Sequence, residues 1–299
     1  MNFVKTKYLL GHFFAFLSVF FWSSLYVSTK ILLEEFSPLE LLVLQFVFGY
    51  LFLLIIKPKR LILEDKKDEL YFVLCGLTGI TIYNLFLNLA IDYSLASNVS
   101  VIIAAAPLFT GIFSFLLRID KPYINFFIGF IISIVGIIIL SFNGKIELQL
   151  NPLGDIMAII SSMGWGLYSV LITKITERNY DVILSTRKVI FYGIIFMIPS
   201  FFFLDFSPNF KSLTKPIILF NMIFVAVFAS GICFIIWNKA TSLIGAIKTN
   251  IYVYLTPVIT IIVSIIVLKE KITLIALLGM FLTLLGVIIS ELRLKKNIK

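Results

Sequence analysis

Residues 84–117 read NLFLNLAIDYSLASNVSVIIAAAPLFTGIFSFLL, and residues 234–271 read FIIWNKATSLIGAIKTNIYVYLTPVITIIVSIIVLKEK. These are two versions of one pattern. At an offset of 150, Asn88 falls on Asn238, Ala90 on Ala240, Ala96 on Ala246, Pro107 on Pro257, Thr110 on Thr260 and Ser114 on Ser264. The match continues through Lys121 and Lys271, Gly129 and Gly279, and Gly136 and Gly286. Ahead of it, FAFLSVFFWSSLY (14–26) resembles MAIISSMGWGLYS (157–169) at a slightly shorter offset, with Trp22 over Trp165. The chain reads as a duplication.

Each copy is built from apolar runs long enough to cross a bilayer as helix, which takes ~20 residues. The runs lie near 8–33, 38–56, 70–91, 96–117, 123–142, 153–173, 182–204, 216–240, 246–268 and 272–292. Five fall in the first repeat, 8–142, and five in the second, 153–292. Because five is odd, the second repeat enters the membrane from the opposite side. The expected fold is therefore all-α and integral to the membrane, with ten transmembrane helices arranged as two inverted-topology five-helix repeats. That architecture serves many secondary transporters, since two inverted halves can rock and expose a midplane site to each side in turn.

Composition agrees. The chain is 60% hydrophobic and 14% charged, with a mean hydropathy of +1.07, whereas a soluble domain is nearer ~45–50% apolar and ~25% charged. The net charge of +9 invites a nucleic-acid partner, but the basic residues stand at the termini and in short gaps between apolar runs, as in a membrane flank. No nucleic-acid role is expected. Cys75 and Cys233 lie inside apolar runs and form neither a disulfide framework nor a metal spacing, and no cofactor motif is present. The first run, from Tyr8 to about Leu33, exceeds the ~7–15 apolar residues of a signal peptide and is read as a retained membrane helix. The polar gaps KPKRLILEDKKDE (57–69), NGKIELQLN (143–151) and DFSPNFKSLTK (205–215) are too short for a soluble domain.

Lys and Arg set the orientation. With the N-terminus inside, sixteen fall on the cytoplasmic side (Lys5, Lys7, Lys57, Lys59, Arg60, Lys66, Lys67, Arg118, Lys121, Lys174, Arg178, Lys239, Arg293, Lys295, Lys296, Lys299). Five fall outside (Lys145, Lys211, Lys215, Lys269, Lys271). The expected location is the cell membrane, multi-pass, with both termini cytoplasmic.

The repeated segments resemble the drug/metabolite transporter superfamily, and within it the ten-helix EamA type. That family has an aromatic-rich helix end, a short turn with Gly or Ala, a helix with a central Pro and a Leu-Gly-Glu ending, here Leu268-Lys269-Glu270. The first repeat departs from it with Arg118-Ile119-Asp120-Lys121, and Gln45 stands where members often carry a basic residue. The resemblance implies alternating-access transport of a small molecule, among amino acids, other metabolites, nucleotide-like molecules and drugs.

Polar side chains inside a membrane point to the site. The first run stacks Ser18, Trp22 and Tyr26 on one face, and the sixth does so with Ser161, Trp165 and Tyr168 or Ser169. Thr81, Asn84 and Asn88 line the third, Ser230, Cys233 and Trp237 the eighth, and Asn250, Tyr254 and Pro257 the ninth. From these the expected substrate-binding residues are Trp22, Tyr26, Asn84, Asn88, Trp165, Tyr168, Trp237, Asn250 and Tyr254. Pro107 and Pro257, mid-helix in corresponding runs, are expected to gate or hinge. Tyr8, Tyr71, Tyr123 and Tyr180 near run ends read as interfacial belt residues. The fifth and tenth runs, with Gly129/Gly136 and Gly279/Gly286 two turns apart, read as scaffold.

Charges divide similarly. Lys248 and Arg187 could attract an anion, while Lys188 and these two also lie close enough to run ends to snorkel. Lys30 is spaced to pair with Glu34, and His12 sits by the inner interface. No Asp or Glu lies deep in any run. Small multidrug exporters, which resemble half of this fold, exchange protons at a buried glutamate in the first helix, and that helix has none here between Leu9 and Lys30. The leading reading is thus a carrier exporting amino acids or related zwitterions. Efflux of drugs or organic cations is second, and a non-transporting scaffold or receptor is the reading from another class. An enzyme is not expected, for want of a nucleophile–base set. A tag at the C-terminus should be reached by antibody only after permeabilisation. Labelling from outside intact cells would overturn the topology.

Overall fold

The structure, a computed structural model, describes residues 2–117, 124–142, 152–244, 249 and 251–291. Among the described residues all regular elements are helical. They are α1 (Asn2–Leu32), α2 (Pro38–Ile56), α3 (Asp68–Tyr93), α4 (Ala96–Leu116), α5 (Ile124–Phe142), α6 (Pro152–Thr176), α7 (Val182–Phe202), α8 (Pro216–Ile244), α9 (Thr256–Val267) and α10 (Leu274–Glu291). Seven of these described helices are long and apolar enough to cross a membrane, and α5, α9 and α10 contribute shorter apolar stretches. Lys248, Asn250, Arg118, Asp120 and Lys121 lie outside the described residues.

Helix starts follow local chemistry. Ser37 and Glu40 form a capping box at α2, with Pro38 in the first turn, where its missing N–H loses nothing. Asp181 accepts from the Leu184 N–H at 3.0 Å and caps α7.

Two helices depart from α geometry at matching places. In α3 a π-helical stretch runs from Gly76 to Ile82, and in α8 one runs from Phe224 to Ile232. At an offset of 150, Gly76 corresponds to Ala226 and Ile82 to Ile232, so the two stretches overlap. Wider turns of this kind gather at functional sites. The sequence gives little local warning beyond the small residues Gly76, Gly79, Ala226, Ala229 and Gly231.

The prolines behave differently from the expected mid-helix kink. α4 stops after Ile103, turns through Ala104 and Ala105, and restarts at Ala106 with Pro107 in the first turn. α9 is likewise preceded by a 3-10 segment, Ile251–Leu255, and starts with Pro257 in its first turn. Proline's fixed φ and absent N–H suit a first turn, so the chain breaks before it instead of bending through it. At the α4 break the Ile102 carbonyl accepts from Ser162 Oγ of α6 at 3.0 Å.

Packing comes in matched sets. α1 packs on α8 and α9, and α6 packs on α3 and α4. α2 lies on the π-stretch of α8, as α7 lies on that of α3. α5 and α10 form the closest helix pair. A Cβ on Gly136 would come within 2.4 Å of the Thr283 N, and one on Gly286 within 2.5 Å of the Gly129 O. Ser133 Oγ donates to the Thr283 carbonyl at 3.0 Å, and Thr283 Oγ1 to Gly279 at 2.9 Å. Gly136→Ala or Gly286→Ala should therefore destabilise the protein by about 1–3 kcal/mol through overpacking against backbone. Gly231→Ala, whose nearest contacts are the Phe52 ring at 3.2 Å and the Ala226 O at 3.7 Å, should be milder. Thermal unfolding of the three variants in detergent checks this, and equal melting temperatures would refute it.

Candidate functional site

The interior of the bundle is organised by its three tryptophans, one each from α1, α6 and α8. The Trp22 ring is 5.5 Å from Trp165 and 5.2 Å from Trp237, and Trp165 is 6.0 Å from Trp237. Phe234 lies 5.3 Å from Trp22, Tyr83 4.8 Å from Trp165, and Tyr168 5.2 Å from Trp165. Most pairs are tilted or edge-on, the arrangements that the ring quadrupoles favour. Tyr26 joins from α1, its phenol close to that of Tyr83. Of the expected substrate-binding residues, Trp22, Tyr26, Trp165, Tyr168 and Trp237 are thus brought together. Tyr83 and Phe234 belong with them and were missed; their only signal is an aromatic ring in the middle of a polar-faced run.

Several donors in this region serve the carbonyls of the non-α segments. Trp22 Nε1 donates to Ala229 O at 3.0 Å, inside the π-stretch of α8. Asn84 Nδ2 donates to Gly79 O and Ile80 O, both at 3.0 Å, inside the π-stretch of α3. Thr81 Oγ1 reaches Gly193 O of α7 at 2.8 Å. Ser18 Oγ points to Cys233 O at 3.4 Å, and Ser161 Oγ donates to Tyr83 O at 2.7 Å. Gly79 carries no Cβ because one would lie 2.3 Å from the Tyr168 ring. Ser230 and Cys233, also expected on the polar face, are buried.

The two matched asparagines tie α3 and α8 to their neighbours. Asn88 Nδ2 donates to Pro38 O of α2 at 3.2 Å. Asn238 Nδ2 donates to Thr186 Oγ1 of α7 at 3.0 Å and its Oδ1 accepts from Tyr168 Oη at 3.4 Å. Several buried polar atoms, in contrast, have no hydrogen-bond partner among the described residues: Thr29 Oγ1, Gln45 Oε1, Ser185 Oγ and Ser264 Oγ. Gln45 is only 2% exposed and follows Leu44 and precedes Phe46, whose ring is 6.4 Å from Phe234. An unpaired buried amide oxygen is costly and calls for a partner. The backbone of Tyr254 is described and its side chain is not.

The charged residues collect at the two ends. At one end Arg187, 7% exposed, donates to the carbonyls of Lys57 and Lys59, so its fork is spent on the C-terminus of α2 and not on an incoming anion. Lys188 pairs with Glu69 at 2.8 Å, Lys57 with Asp181 at 2.5 Å and Arg178 with Asp68 at 3.4 Å. His12 Nδ1 meets Tyr252 Oη at 3.0 Å. At the opposite end Lys30 donates to the carbonyls of Ile91, Asp92 and Ser94 at 2.5, 3.2 and 3.1 Å. It caps the end of α3, where spacing alone suggested a pair with Glu34. Glu270 accepts from the N–H groups of Ala96 and Ser97 at 3.1 and 3.4 Å and from Ser97 Oγ at 2.7 Å, and so caps α4. Lys215 and Ser212 hold the Glu35 carboxyl below the usual carboxylate range.

Comparison with known proteins agrees with this geometry. The EamA-like transporter family model matches residues 9–142 and again 152–292. A protein of Archaeoglobus fulgidus named an uncharacterized transporter is 25% identical over 292 residues, 96% of this chain and 97% of its own length. Uncharacterized transporter YyaM of Bacillus subtilis is 24% identical over 76% of this chain and 74% of its own. Uncharacterized inner membrane transporter YedA of Escherichia coli is 29% identical over 67% of this chain and 64% of its own. A crystal structure shares the fold at a TM-score of 0.65 and 15% identity, covering 96% of each chain. The chain is a multi-pass membrane protein, and with both of its halves matched it belongs to the EamA-like transporter family.

Proposed function

We propose that the protein is a secondary transporter of a small metabolite across the plasma membrane, working by alternating access between two inverted five-helix halves and exporting amino acids or related zwitterions. The observation that carries this reading is the meeting of Trp22 and Trp165, repeat-related residues from α1 and α6, at 5.5 Å in the middle of the bundle. A site on a pseudo-twofold axis is where an inverted-repeat carrier binds its cargo. The bonds around it support the symmetry. Ser18 and Ser161 differ by 143 residues, their acceptors Cys233 and Tyr83 by 150, the same offsets that relate the sequence repeats. The overlapping π-stretches and the breaks ahead of Pro107 and Pro257 fall at related places too.

The aromatic cluster offers apolar surface, and the Gln45 amide oxygen beside Phe46, unpaired among the described residues, offers a polar contact, which suits a small molecule with an apolar body and a polar end. The end carrying Lys57, Arg178 and Lys239 is the cytoplasmic one under the positive-inside rule. A specific observation favours the second reading, efflux of organic cations: Trp22, Tyr83, Trp165, Tyr168, Phe234 and Trp237 gather in one cluster of rings, and ring faces attract cations. Purified protein in liposomes, offered labelled amino acids and labelled quaternary ammonium dyes in parallel, separates the two. Accumulation of amino acids, lost at least tenfold in Trp165→Ala, is the expected result. Dye flux alone would replace the substrate class, and no flux of either would favour a scaffold or receptor.

The helix breaks give a second test. Restoring an N–H with Pro107→Ala or Pro257→Ala lets the chain run helical through the break. Both variants should fold and keep equilibrium binding within about twofold, while flux falls. Unchanged flux in both would make the prolines plain helix starts.

A further inference from the structure

At the end marked by Lys57 and Arg178, α6, α7 and α8 diverge to leave a cleft of about 530 Å³ including its open mouth. Ile172, Ile175 and Val182 form its apolar wall; Asn179, Ser185, Asn238, Lys239 and Ser242 form the polar one. Asn238 at its floor holds the Tyr168 hydroxyl, and Tyr168 packs on Trp165, so the cleft abuts the aromatic cluster.

The corresponding groove at the other end, between α1, α2 and α3, is filled. At offsets of 143 and 144, Ile175, Asn179 and Ser185 correspond to Leu32, Phe36 and Leu41, which are buried in one apolar cluster with Leu87, Ala90 and Ile91. Lys30 closes it by capping the end of α3. Where one groove is shut by Phe36 and Leu41, the other is open and carries an amide and a hydroxyl. Asn179 also ends α6 with a φ of 56°, which an amide side chain tolerates. Ser185 has no such backbone reason. It is 94% buried, and its Oγ has no hydrogen-bond partner among the described residues.

The charges at the mouth point the same way. Glu177 pairs with Lys174 at 3.5 Å, Asp181 with Lys57 at 2.5 Å, and Asp68 with Arg178 at 3.4 Å and with Tyr180 Oη at 2.7 Å. No carboxylate lines the cleft, and Lys239 has no ion-pair partner among the described residues. We propose that this cleft is a loading site for a small amphipathic carboxylate. Lys239 and Ser185 take the carboxylate, and the apolar body lies on Ile172, Ile175 and Val182 toward Tyr168. The site rests on the carrier reading above and names the charged group that it recognises first.

The test uses thiol chemistry at Ser242, which is exposed in the cleft. Cys75 and Cys233 are fully buried, so Ser242→Cys is read against a quiet background. In inside-out vesicles, the rate of labelling by a sulfonate-bearing methanethiosulfonate is compared with that by the neutral methyl reagent. Lys239→Gln should lower the anionic-to-neutral ratio roughly fivefold, the effect of one unit charge at contact distance in water, and Lys239→Arg should restore it. L-leucine and L-phenylalanine should protect the cysteine, and their amides should not. A ratio unchanged by Lys239→Gln, or equal protection by acid and amide, overturns the proposal; lipid phosphate as the occupant would appear as loss of protection by every soluble acid. Flux is scored separately. If no amino acid moves in liposomes while the charge preference and protection hold, the export reading fails and the carboxylate site stands. If amino acids move with KM unchanged in Lys239→Gln and Ser185→Ala, the site fails and the export reading stands.

Discussion

Inside a bilayer every backbone carbonyl and N–H must find a partner within the protein. An unbroken α-helix meets that demand alone. This chain gives up the α pattern at Gly76–Ile82, at Phe224–Ile232 and just ahead of Pro107 and Pro257. The carbonyls released or reoriented there are met by neighbouring side chains: Trp22 and Asn84 at the π-stretches, Ser162 at the α4 break. The polar residues of the interior are therefore held in place by the irregular backbone that they satisfy. Irregular backbone at membrane depth is tolerated where protein or a cavity surrounds it, and here it surrounds the aromatic cluster.

This explains which parts were legible in the sequence. The duplication, the apolar runs and the pairing of Trp22 with Trp165 rest on residue identity and spacing, and they could be read directly. That the three tryptophans converge followed from their shared helix faces. The destination of each polar group could not be read. Asn84 looks like a cavity lining residue, yet its amide is turned onto its own helix because the π-stretch leaves carbonyls of Gly79 and Ile80 within reach. Lys30 looks like half of an i, i+4 pair, yet three carbonyls at the end of α3 offer its ammonium more hydrogen bonds than one carboxylate would. Arg187 looks like an anion trap and is drawn to the C-terminus of α2 by carbonyls that no residue nearby in sequence announces.

The two ends differ in kind although the halves are related. One is bolted by Lys30, by Glu270 on the start of α4, and by Glu40, which accepts from the Ser207 N–H at 2.8 Å. The other is held by ion pairs around Asp68, Glu69 and Asp181 and leaves α6, α7 and α8 apart. Related scaffolds carrying unlike side chains at their rims can favour one end open over the other without any change of fold, because packed interfaces tend to be bistable.

Seven of the polar contacts between helices share a trait with a consequence for divergence. Ser18, Trp22, Thr81, Ser133, Ser161, Ser162 and Thr260 each donate across to a main-chain oxygen, on Cys233, Ala229, Gly193, Thr283, Tyr83, Ile102 and Ser23 respectively. A main-chain oxygen is present whatever residue carries it. The acceptor positions can therefore drift in identity, limited by size alone, while the bond persists. Paired substitutions are not required to keep these contacts, so they leave little correlated signal between donor and acceptor columns. A bundle joined in this way can keep its architecture while only about a quarter of its residues match a relative over nearly its whole length.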